Sequence, residues 1–80
     1  MRDRSRVFFG AWVTLELEDG ETTRYRLVGP DESDVERGWI SIESPIGRGL
    51  IGRACGDEIR VRRPAGEASY TVLAVTYEEP

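Results

Sequence analysis

The residues able to do chemistry in this chain are few, and the types it lacks decide more than those present. There is a single cysteine, Cys55, and no histidine. A thiol or hydroxyl nucleophile needs a neighbouring base, most often an imidazole. Cys/His catalysis, Ser/His/Asp catalysis and metal binding through histidine are therefore excluded. One cysteine cannot close an internal disulfide, and the expectation for Cys55 is a buried or half-buried inert thiol. The acids Asp31, Glu32, Asp34 and Glu36 crowd one short stretch. Paired carboxylates can hold a hard divalent cation, but this spacing fits no EF-hand pattern. A solvated loop is expected there, with no metal and no cofactor. Arg60, Arg62 and Arg63 form a basic stripe. It could touch RNA; cross-strand pairing with Glu67 and other acids is the simpler expectation.

The remaining candidates suit recognition rather than reaction. Ser44-Pro45 is a good helix start, because serine caps free N–H groups and proline is preset for the first helical position. Such a rigid start projects Ile46 beside a polar backbone edge. An exposed apolar anchor among polar groups suits an interface. Trp12 and Trp39 each fall on the outward face of an expected strand. Tryptophan is enriched at binding hot spots, so the two could form a second interface patch. Equally, loops or the linker could cover them.

Alternation of apolar and polar residues defines the elements that must position these groups. In residues 11–18, Val13, Leu15 and Leu17 share one face and Trp12, Thr14, Glu16 and Glu18 the other, the pattern of a half-buried strand. Asp19-Gly20 marks a turn. From Thr22 to Gly29, Thr23, Tyr25 and Leu27 oppose Arg24, Arg26 and Val28. A two-residue Asp-Gly loop would set Leu15 against Arg24, and a one-residue slip turns every side chain over. A three-residue loop or a bulge is therefore expected, pairing Leu15 with Tyr25, Val13 with Leu27 and Glu16 with Arg24. Pro30 to Gly38 reads as a loop. Trp39 to Glu43 is a short strand with Ile40 and Ile42 inward, and 45–52 a short helix. Gly47 and Gly49 weaken that helix by about 0.5–1 kcal/mol each relative to alanine. Glu58 to Arg63 is a strand, Pro64-Ala65-Gly66 a three-residue hairpin loop, and Glu67 to Tyr77 a strand apolar on both faces, hence central. The expected fold is α+β: an antiparallel sheet of four or five strands with one short helix.

At 80 residues with 39% hydrophobic and 32% charged side chains, the chain fits one small soluble domain. Residues 1–6 read as a linker remnant and 7–80 as the domain. The sequence has no apolar run long enough to span a membrane and no signal-peptide core, so a cytoplasmic location is expected. The formal net charge is -4, with 15 acids interleaved among 11 bases, all arginine. Phosphate-binding domains usually show a net basic face, so a protein partner is expected rather than direct, sequence-specific nucleic-acid binding.

Several blocks resemble a known family. Val7-Phe8-Phe9-Gly10-Ala11-Trp12-Val13, Tyr25-Arg26-Leu27-Val28-Gly29-Pro30-Asp31-Glu32 and Ile40-Ser41-Ile42-Glu43-Ser44-Pro45 are similar, in that order, to the carboxyl-terminal domain of GreB-type transcript cleavage factors of the Gre family. Leu50-Ile51-Gly52 and Gly56-Asp57-Glu58 form a fourth block. Pro64-Ala65-Gly66-Glu67-Ala68-Ser69-Tyr70 resembles a hairpin carried by GreB rather than GreA members. The resemblance implies an FKBP-like fold and docking on bacterial RNA polymerase at the rim of the secondary channel, on a coiled coil of the largest subunit. It places the docking motif at Ser44, Pro45 and Ile46, with Glu43 where the family often has aspartate, and with Gly47 and Gly49 where alanines are usual. In the family, two acids at the tip of an amino-terminal coiled coil help hold a catalytic magnesium ion for transcript cleavage. That arm precedes the blocks seen here, so a monomeric, non-enzymatic polymerase-binding domain is expected. The alternatives are a free-standing regulator of the Rnk type and, from the fold alone, a prolyl isomerase.

Overall fold

The computed structural model describes residues 6–78. Its strands are β1 (Trp12–Leu17), β2 (Thr22–Val28), β3 (Trp39–Ser41), β4 (Glu58–Arg63) and β5 (Gly66–Thr76), with one helix, α1 (Pro45–Leu50). They form a five-stranded sheet in the order β3-β2-β1-β5-β4, so β5 is interior as its two apolar faces implied. Inward side chains of β1, β2, β4 and β5 meet α1 in one core. Leu15, Leu27, Leu50, Val7, Val13 and Val72 are its largest fully buried members. Each such side chain contributes about 1.5–3 kcal/mol by leaving water.

The sheet is mixed, not wholly antiparallel. β3 runs parallel to β2, pairing Trp39 with Arg26, Ile40 with Leu27 and Ser41 with Val28. The expected loop at 30–38 holds two 3-10 turns, Pro30–Glu32 and Val35–Arg37, which lead the chain back along β2 before β3 begins. Asp34 and Trp39 exchange backbone hydrogen bonds, both 2.9 Å, and fix where β3 starts.

The first hairpin has the three-residue loop expected, but one position earlier. Glu18, Asp19 and Gly20 form it, Leu17 N–H donates to Glu21 O at 2.7 Å, and Val13 pairs with Tyr25, Leu15 with Thr23, Glu16 with Thr22. Gly20, at φ 89°, must take the last loop position, where a left-handed residue closes a type I turn. That requirement, rather than a Glu16–Arg24 pair, sets the register. In the second hairpin Arg63 pairs with Gly66, so the loop is Pro64-Ala65 alone. β5 carries a bulge: Thr14 pairs with Ala74 but Leu15 with Val72, leaving Leu73 extra.

Of the span expected to be a linker, residues 1–5 lie outside those described. Arg6 bridges to Ala54, Val7 N–H donates to Arg53 O at 2.8 Å, and Gly52 N–H donates to Val7 O at 2.7 Å. The Tyr77 hydroxyl accepts from Phe8 N–H at 3.0 Å and donates to Arg6 O at 2.7 Å.

Candidate docking surface

The turn between β3 and α1 is built by two serines. Ser41 Oγ accepts from Glu43 N–H at 3.0 Å, which ends β3 at Ser41 rather than at Glu43. Ser44 Oγ accepts from Gly47 N–H at 3.0 Å and donates to Ser41 O at 2.7 Å. Pro45 takes the first helical position, so the expected start is what forms. The helix stops at Leu50, earlier than the expected 52, and Gly52 follows at φ 83°.

Gly47 has a different role from the one expected. It is buried, and a Cβ there would run into Ser41 O and stand 3.0 Å from Ile42 Cα. Its absent side chain lets α1 sit directly on the strand-to-helix corner, so at this position glycine tightens the packing. Gly49 is ordinary: a Cβ there would touch only Ile59 Cδ1, at 3.5 Å.

Glu43, Ser44, Pro45 and Ile46 come together on one surface, with Glu43 and Pro45 exposed and Ser44 and Ile46 half-buried. Leu50, one turn on, is wholly buried. Ile46 divides its surface: it packs against the core and also lines an open groove of about 210 Å³ with Ile40, Ser44, Pro45 and Val61. A depression of about 240 Å³ at the far end of β1 and β5 is lined by Leu17, Glu18, Asp19, Ala68, Ser69 and Tyr70. There Glu18 Oε1 already accepts from Ser69 N–H at 2.9 Å, so that site is engaged internally. The groove beside α1 is the better candidate: four of its five lining residues are apolar.

Trp12 and Trp39 lie on the opposite face of the sheet, half-buried, with Arg26 between them. The Arg26 guanidinium carbon stands 5.8 Å from the Trp12 ring centre and 5.4 Å from that of Trp39, and Arg37 stands 5.2 Å from Trp39. Sequence reading named the tryptophans and missed Arg26. The signal was the register: both rings pair directly with that one residue.

Of the acidic stretch, Asp31, Glu32 and Glu36 are exposed, as a solvated loop implies, and Asp34 is structural. Asp34 Oδ1 caps the second 3-10 turn by accepting from Glu36 N–H at 3.1 Å, and its carboxylate pairs with Arg37 at 3.4 Å. Among the described residues no cluster of three or more potential ligands could hold a metal. Cys55, expected to be buried or half-buried, is exposed, because it sits in the turn before β4; its thiol donates to Leu73 O at 2.9 Å. On β4, Arg62 lies directly across from Glu67 and Arg60 across from Ser69. Among the described residues no helix is long and apolar enough to cross a membrane.

The family described as transcription elongation factor, GreA/GreB, C-term, matches residues 2–77. The chain is 55% identical over 75 residues to transcription elongation factor GreB of Pseudomonas aeruginosa, covering 94% of this chain and 45% of that protein. It is 51% identical to GreB of Yersinia pestis, covering 95% and 44%, and 49% identical to GreA of Nitratidesulfovibrio vulgaris, covering 91% and 46%. The chain thus spans less than half the length of these relatives. Among solved structures, a GreA/GreB elongation factor from Nitrosomonas europaea superposes with a TM-score of 0.80 at 32% identity, covering 95% of this chain and 64% of that one. The transcription factor Gfh1 superposes with a TM-score of 0.81 at 32% identity, covering 88% and 47%.

Proposed function

Because this chain belongs to the GreA/GreB carboxyl-terminal domain family, we propose that it is a docking module that seats an elongation factor on bacterial RNA polymerase through the surface around α1. One observation carries the reading: a capped, tightly seated helix start offers half-buried Ile46 in the lining of an apolar groove, next to exposed Pro45 and three residues after exposed Glu43. An apolar anchor held rigidly beside polar groups loses little freedom on binding. The partner that fits the family is the coiled coil of the largest polymerase subunit at the secondary-channel rim. The domain acts there as a cytoplasmic monomer and does no chemistry itself, since cleavage of backtracked transcripts belongs to the acidic tip of the family's coiled coil.

The test is competition. Added in large molar excess to a stalled, backtracked complex, this domain should yield no shortened RNA above the polymerase's own background. It should also suppress cleavage stimulated by a full-length GreB, by mass action at a shared site. Unchanged cleavage by the full-length factor would remove the shared site, and shortened RNA from the domain alone would remove the division of labour.

A further inference from the structure

On the face of the sheet turned away from α1, Trp39, Arg26 and Trp12 stand in one row across β3, β2 and β1. The arginine is held between two indoles at 5.4 and 5.8 Å from their ring centres. Its neighbour Arg37 has an acid, Asp34, at 3.4 Å. Arg26 has none: among the described residues no side-chain hydrogen bond or ion pair engages it, and its Nε is enclosed without an acceptor. Buried polar groups normally find a partner, so this is an unsatisfied receptor.

We propose that this face binds a protein segment presenting an aspartate or glutamate carboxylate, with Arg26 as the receptor and Trp12 and Trp39 as its walls. A guanidinium is planar and weakly hydrated, and it takes a carboxylate through two parallel N–H groups. Contact with an indole on either side restricts its motion in advance, which lowers the entropy lost on binding. The charge fits a single carboxylate rather than a nucleic acid. A phosphate backbone is held by several cations in file, whereas this row offers one guanidinium, that of Arg26, between the two indoles. Because the guanidinium lies within about 6 Å of both indole centres, a carboxylate bound to it changes the surroundings of both rings, so binding should report itself through the tryptophans. The proposal is independent of the α1 surface.

The chain contains two tryptophans, hence two indole N–H signals in a nitrogen-15 NMR spectrum. Titration at low salt with a capped glycine-rich peptide carrying one glutamate should move both signals, and the Arg26 Nε–H, along one saturating curve. Arg26→Gln should weaken that response by about ten-fold or more, the charge-assisted bond being lost. Arg26→Lys, which keeps charge and stem, should recover little of it, because an ammonium cannot stack flat or bind through two parallel donors. No saturable shift, or an equal response from the Arg26→Gln or Arg26→Lys protein, overturns the proposal. So does a tighter response to an oligothymidylate of equal charge, which would assign the face to nucleic acid. Signals that move on simple dilution of the protein would assign it to self-association.

Discussion

At the scale of single residues, the α1 surface depends on what two adjacent positions do. Gly47→Ala should drive a methyl group into the Ser41 carbonyl and the Ile42 backbone, which cannot swing aside. A loss of about 1–3 kcal/mol is expected, the usual cost of overpacking. Gly49→Ala meets only a side-chain methyl and should gain about 0.5–1 kcal/mol. Paired thermal melts separate the two, and equal effects would refute the distinction. Ile46 is the complementary case. Its open side lets a substituted carboxylate reach water, so Ile46→Asp should leave the domain folded yet weaken polymerase binding by about 2 kcal/mol or more. Leu50→Ala, in a site closed on every side, should instead cost about 2–5 kcal/mol of stability. A folded Ile46→Asp domain that binds polymerase like the parent removes the docking assignment.

At the scale of elements, the fold responds to turn chemistry as much as to alternation. Gly20→Ala forces a side chain into the left-handed region at φ 89° and should cost about 1–2 kcal/mol. For a domain of this size that lowers the melting temperature by about 4–8 °C per kcal/mol; an unchanged melt would mean the loop is not what fixes the register. The strands, the helix start and the inward faces were legible because period-two alternation and a Ser-Pro step act locally. What escaped reading was relational. The direction of β3 depends on two 3-10 turns whose polar residues look like any loop. β5 read as apolar on both faces, and the bulge at Leu73 is part of the reason: it switches parity, so Val72 faces the core opposite Leu15 and Val75, not Ala74, sits opposite Val13. The candidate docking residues were legible as a string. The partition of Ile46 between core and groove was not, since it depends on Ile40 and Val61 arriving from other strands.

At the scale of the whole molecule, the Tyr77 hydroxyl joins the two ends of the described chain. Tyr77→Phe removes both hydrogen bonds to the Arg6–Phe8 segment and should cost about 1 kcal/mol, with faster hydrogen exchange at the Phe8 amide and little change in the sheet. Unaltered exchange at Phe8 would show that the Tyr77 hydroxyl is not what holds the segment. The segment's pairing with residues 52–54 has a mechanical meaning. Arg6 and Val7 are laced to Gly52, Arg53 and Ala54, the residues immediately after α1. A displacement of Arg6 would therefore act on the segment that follows α1 as well as on β1, which begins at Trp12. The candidate grip and the pairing of the Arg6–Val7 segment thus lie on neighbouring stretches of chain, so a change in one is placed to be felt in the other.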